Sequence, residues 1–180
     1  VIALSVVAVA LLGCCGIGTA IAAPFLGEYP ATVAAPSRVA GLDQVRNAEV
    51  DRIGQQLADE LKKNSAIDNA VAGLYAPGGD QGHAVLVVGA TGLIFSPRNE
   101  VDNALRSMGD GGIPVTGVKD YDPGALGGTV RCGTGSIRTV SLSICGWADH
   151  GSVGVGIFYD RPLADSADLF LRIREGMVKR

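Results

Sequence analysis

The sequence predicts an α+β protein, with an N-terminal transmembrane helix followed by a mostly antiparallel sheet packed with about three helices. Three observations carry that expectation. The first 23 residues hold no charged side chain. Behind them, segments with apolar residues spaced 3 and 4 apart bracket several short β-branched runs. Of the 26 glycines, 19 fall between Gly73 and Gly156, and such density in a β-rich stretch marks tight turns, bulges and close backbone approach.

The elements follow in chain order. Residues 1–23 (VIALSVVAVALLGCCGIGTAIAA) form the expected span. At ~1.5 Å per residue a helix of this length covers about 35 Å, against a hydrocarbon core of roughly 30 Å. A signal peptide cleaved after Ala20-Ile21-Ala22 and a lipoprotein acylated at Cys14 are competing readings, but only a retained span accounts for the whole apolar run. Within it, Gly16 and Ala20 make a small-x-x-x-small pair suited to helix packing in the membrane. Arg38 is the only basic residue near the C-terminal side of the run, which places the body outside the cytoplasm by the positive-inside rule.

Residues 24–41 are proline-rich and aperiodic and predict an extended stalk. Residues 42–180 form the expected extracytoplasmic α+β domain. Its first helix runs over Leu42–Asn64, with Val50, Ile53, Leu57 and Leu61 on one face and Asp43 as N-cap. Ala70–Ala76 and His83–Ala90 read as strands joined by the turn Pro77-Gly78-Gly79-Asp80, the second nearly all apolar and so central in a sheet. Ser96-Pro97 opens a second helix that Gly109 closes. Strand signals follow at Val115–Lys119, Thr129–Cys132, Arg138–Cys145 and Val153–Tyr159. Pro162–Lys179 is the last helix, with Leu163, Ala167, Phe170, Ile173 and Met177 on one face.

With Cys14 and Cys15 in the apolar run, Cys132 and Cys145 remain in the body. A single pair in an extracytoplasmic domain reads most simply as a disulfide, the alternative being two buried thiols. A two-residue turn at Arg138-Thr139 sets the cysteines opposite each other. A turn at Gly133–Ser136, chemically the better turn, does not. The disulfide-compatible register is preferred, with the bond on the polar side of the second strand, beside Ser141 and Ser143.

Gly127-Gly128-Thr-Val-Arg-Cys132 and Cys145-Gly-Trp-Ala-Asp-His-Gly-Ser-Val-Gly154 resemble the last third of a group of actinobacterial membrane-anchored extracytoplasmic proteins. That group has an N-terminal span and a Cys…Cys-x-Trp-Ala-Asp segment, which Cys132, Cys145, Trp147, Ala148 and Asp149 match position by position. The resemblance implies a bacterial cell-envelope protein with those cysteines bonded. It implies no activity.

The remaining chemistry is sparse. Asp149, His150 and Ser152 invite a nucleophilic triad, but neighbours on a strand point to opposite faces and there is no Gly-x-Ser-x-Gly elbow. A turn at Asp149–Gly151, with Trp147 packed near the disulfide, is the simpler expectation, and Trp147, Asp149 and His150 are carried forward as a turn or interaction segment. His83 and His150 are the only histidines, so zinc would need carboxylates from unrelated segments. The clusters Gly89–Gly92 and Gly109–Gly112 lack the P-loop Lys-Ser/Thr. No catalytic residue, metal or cofactor is expected. A net charge of −3 argues against nucleic acid as partner. The sequence thus predicts a non-enzymatic single-pass plasma-membrane protein, an accessory or interaction subunit of a bacterial membrane or envelope complex. Its expected partners are the lipid bilayer and a membrane protein, and the alternative is a module that binds an apolar or cell-wall ligand.

Overall fold

A computed structural model describes residues 27–46 and 67–180, together with positions 48, 52, 55, 56 and 59. Its centre is an eight-stranded, wholly antiparallel sheet in the order β2-β3-β4-β5-β9-β8-β7-β6. The strands are β2 (Arg38–Val39), β3 (Leu42–Gln44), β4 (Asn69–Ala76), β5 (Val85–Thr91), β6 (Thr116–Tyr121), β7 (Thr129–Ile137), β8 (Val140–Ala148) and β9 (Ser152–Tyr159). A separate two-stranded ladder joins β1 (Thr32–Val33) to β10 (Val178–Lys179). One helix lies on each face: α1 (Pro97–Asp110) and α2 (Leu163–Met177).

The alternation along β8 and β9 explains the two layers. Leu142, Ile144 and Ala148, with Val153, Val155 and Ile157, meet Val101 and Leu105 of α1. Cys145, Trp147 and Phe158 point the other way, into the larger core under Ala167, Phe170, Ile173 and Met177 of α2. Period-2 strands between amphipathic helices bury both faces of the central sheet.

The glycines of β9 are part of this packing. Gly154 lies opposite Trp147 in the ladder, and a Cβ there would collide with the indole ring. Gly89, the partner of Gly154 on β5, also lies against the indole. A Cβ on Gly156 would sit 2.8 Å from the Phe170 ring. Missing side chains on the central strands thus make room for two large rings to rest on backbone, and those rings meet at 5.2 Å between centroids.

The structure corrects the expected fold class. Two α-helices are described from end to end where about three are expected, and no helix among the described residues is long and apolar enough to cross a membrane. Residues 1–23, where the sequence places the span with Gly16 and Ala20, lie outside the described residues. Leu42–Gln44, expected to open a helix, is strand β3 instead. Asp43 does not cap: Arg38 takes both its carboxylate oxygens across the Ala40-Gly41 turn, at 2.8 and 3.2 Å, closing a hairpin. Beyond Arg46, only positions 48, 52, 55, 56 and 59 of the expected first helix are described, and all five are helical; the other positions lie outside the described residues.

The expected stalk is corrected too. Val33 and Val39 are buried in the α2-side core, and the Tyr75 hydroxyl donates to Pro36 O at 3.0 Å. Burial pushes the Tyr75 pKa up to about 12, so this donor keeps its proton. Residues 32–39 are therefore a strap across the domain. The last helix also stops at Met177, and Val178–Lys179 turn into β10 to pair with that strap.

In the β7–β8 hairpin, Ile137 pairs with Val140 around the two-residue turn, and Cys132 stands opposite Cys145. The two sulfurs are bonded. The bond does not lie on a polar side, because both cysteines are fully buried beneath α2.

Two stability measurements check this packing. Gly154→Ala should cost about 1–3 kcal/mol in urea unfolding, because the added methyl has to displace the Trp147 ring. The Cys132→Ala/Cys145→Ala double variant should lose about 3 kcal/mol, the usual effect of opening a loop of this size.

Candidate functional site

The Trp-Ala-Asp-His segment ends β8 and turns into β9, with the Asp149 N–H donating to Ser152 O at 2.9 Å. At this turn the Asp149 carboxylate has no solvent exposure. It accepts five hydrogen bonds. The Gly151 and Ser152 N–H groups reach Oδ1 at 2.8 and 2.7 Å. The Ser152 hydroxyl, Arg174 Nη2 and Arg180 Nη2 reach Oδ2 at 2.8, 2.8 and 2.9 Å. The Ser152 hydroxyl in turn accepts from the Trp147 indole at 3.2 Å.

Arg174, in the last turn of α2, is almost as deeply buried as its partner. Its Nη1 donates to carbonyls of the loop before β7, Gly127 O at 2.9 Å and Pro123 O at 3.2 Å, while its buried Nε has no hydrogen-bond partner among the described residues. Arg180 Nη2 adds Leu126 O at 2.7 Å. Gly128 lets this loop pass close to the turn: its φ is +77°, and a Cβ there would overlap Ala148 O.

Burial works against charge on both partners. On Asp149 it is outweighed by the hydrogen bonds from Ser152 and Arg174, which hold the pKa below the ordinary aspartate value. Burial draws the Arg174 guanidinium down from its usual value against the opposing pull of Asp149, and an arginine stays cationic regardless.

Trp147, Asp149 and Ser152 are thus spent on internal bonds. His150 is placed differently. Its N–H donates to Glu28 Oε2 at 2.8 Å, and its ring Nδ1 lies 2.8 Å from Ile94 O, which requires that nitrogen to carry the proton. The ring lines a cleft of about 490 Å3 with Glu28, Ser96, Arg98, Gly128 and Thr129. Asp149, His150 and Ser152 therefore do not assemble as a nucleophilic set, because the carboxylate bonds the serine and two arginines while the histidine turns to the loop before α1. His83 lies elsewhere, paired with Asp80 at 2.9 Å. Among the described residues no three His, Cys, Asp or Glu side chains gather as metal ligands.

A second cleft, of about 530 Å3, separates α1 from β6. Leu105, Pro114, Val115 and Val118 make its apolar wall, with Asp102, Arg106 and Arg131 at its rim. Arg131 pairs with Asp102 and lies 3.2 Å from Asp120, which Arg98 also holds at 2.9 Å. These pairs tie α1 to the β6 edge of the sheet.

Sequence reasoning missed Arg174, Arg180 and Glu28. Arg174 carries a readable signal: it stands seven residues after Ala167, four after Phe170 and three before Met177, on the apolar face of its helix. A charge at such a position needs a buried counter-charge. Comparison with protein families, curated proteins and solved structures finds no match to this chain.

The pH dependence of stability follows from the depressed Asp149 pKa. The stabilisation is fully present above the ordinary aspartate value of ~3.9 and is lost as pH falls through the lower folded-state value. The urea midpoint of the wild type should therefore drop steeply below about pH 4. Asp149→Asn should lose roughly 3–5 kcal/mol at neutral pH, since it leaves Arg174 buried without a counter-charge, and its acid dependence should be much flatter.

Proposed function

We propose that this chain is a non-enzymatic domain of the bacterial cell envelope, held at the plasma membrane by its apolar N-terminal run, with the body outside the cytoplasm. It works by contact, as an accessory or interaction subunit of a membrane or envelope complex. The observation that carries this reading is the complete internal use of Trp147, Asp149 and Ser152. The polar residues that most resemble a reactive site hold the turn, the last helix and the preceding loop together instead.

Other features support it. A buried disulfide suits an oxidising compartment. The resemblance of the Cys…Cys-x-Trp-Ala-Asp segment to actinobacterial membrane-anchored proteins points to the same address. The α1–β6 cleft offers a partner an apolar wall with charges of both signs at its rim. It also favours the second reading, in which a small apolar or cell-wall ligand occupies that cleft.

A photo-crosslinking residue at Val118, on the cleft wall, tests the proposal with the full chain in the envelope of the organism that carries it. The expected result is a small number of discrete protein adducts, lost when Val115→Asp places a charge on the same wall. Adducts to a small molecule would favour the ligand reading. A detergent-extracted monomer yielding no protein adduct would overturn the contact reading.

A further inference from the structure

Among the described residues, Tyr29, Leu93, Phe95, Ile137 and Val140 are the large hydrophobics left exposed. They are not scattered. Ile137 and Val140 cap the β7–β8 hairpin at one end of the sheet. Tyr29, Leu93 and Phe95 belong to the opposite end, around the β8–β9 turn. Two backbone bonds and one to a carboxylate fix them there: Gly92 N–H to Gly151 O at 3.2 Å, Ile94 N–H to His150 O at 3.0 Å, and His150 N–H to Glu28 Oε2 at 2.8 Å. The Gly151 backbone also lies so close to Glu28 O that a Cβ would overlap it. Phe95, at 74% exposure, is the most open of the five.

This is also the end at which the chain arrives from its apolar run. Only Pro24, Phe25 and Leu26 separate Ala23 from Gly27, so the join spans at most about 14 Å of extended chain. The first charged residue, Glu28, is half-buried, and its carboxylate is turned to the His150 N–H at 2.8 Å. Two aromatic side chains and a leucine within such reach of an uncharged apolar segment match the composition that settles at a membrane–water interface.

We infer that the β8–β9 end of the domain rests on the phospholipid bilayer surface, with Phe95, Leu93 and Tyr29 inserted at the level of the headgroups. The domain is then held by two contacts, its N-terminal run and this patch, which fixes its tilt and turns the Ile137–Val140 tip away from the membrane. The inference rests on the membrane location proposed above.

The test uses the full chain reconstituted in phosphatidylethanolamine–phosphatidylglycerol vesicles, with and without acyl chains brominated near the headgroup. Trp147 is the only native tryptophan and is fully buried, so it gives a common background. The indole introduced by Phe95→Trp should lose about half its emission in brominated vesicles, and that introduced by Ile137→Trp should lose none beyond background. Equal response at the two positions, in protein that floats with the vesicles, overturns the inference and leaves the membrane location standing. So does a blue-shifted but unquenched Phe95→Trp signal, which would mean that protein covers the patch. Protein that fails to float with the vesicles overturns both.

Discussion

A carboxylate shut away from water must find its balancing charge inside the protein, and Asp149 finds it in Arg174. The pair joins parts of the chain far apart in sequence. Asp149 ends β8 and shapes the turn into β9, while Arg174 closes α2 and holds the carbonyls of Pro123 and Gly127. Arg180 brings the end of the chain to the same carboxylate. One residue along, the His150 N–H binds Glu28, four residues ahead of the strap. Replacing such a pair by apolar residues can be harmless, whereas removing one member leaves an isolated buried charge. The geometry therefore makes Asp149 the condition for burying Arg174, while Asp149 itself is balanced by Arg174 and, at 2.9 Å, by Arg180.

The same turn organises the apolar core. Trp147 faces α2 because β8 alternates, and its indole lies flat because Gly154 and Gly89 leave bare backbone beneath it. Its N–H is satisfied by the Ser152 hydroxyl, which Asp149 orients in turn. A large aromatic can be buried completely here because its one polar atom is bonded within the cluster. Packing and polar satisfaction are thus one arrangement, and the Cys132–Cys145 bond holds the neighbouring ladder in the register it requires.

How much of this the sequence disclosed depended on whether the signal was local. The Arg138-Thr139 turn and the opposition of Cys132 to Cys145 follow from counting residues along a hairpin. Pro97 as the first residue of α1 was legible for the same reason. Asp43 was misleading because a capping residue and a hairpin ion-pair partner look alike until Arg38 is placed beside it. Residues 24–41 read as a stalk because their partners, β10 and α2, lie at the far end of the chain. The polar side assigned to the disulfide was wrong for a related reason: Ser141 and Ser143 suggested solvent, but α2 covers that face. At the turn, Asp149 was legible as a turn residue but not as a charge hub, since Arg174 and Arg180 contact it across more than twenty residues.

Asp149 and Arg174 act as one structural unit, and a double-mutant cycle on urea stability measures that coupling directly. With Asp149→Leu, Arg174→Met and the double variant, the losses should be strongly non-additive. The double change should cost less than the two single losses summed, by a coupling of about 2–3 kcal/mol, within the range seen for residues in one buried network. Additive losses within roughly 0.5 kcal/mol would contradict it and show that the two charges are buried independently of one another.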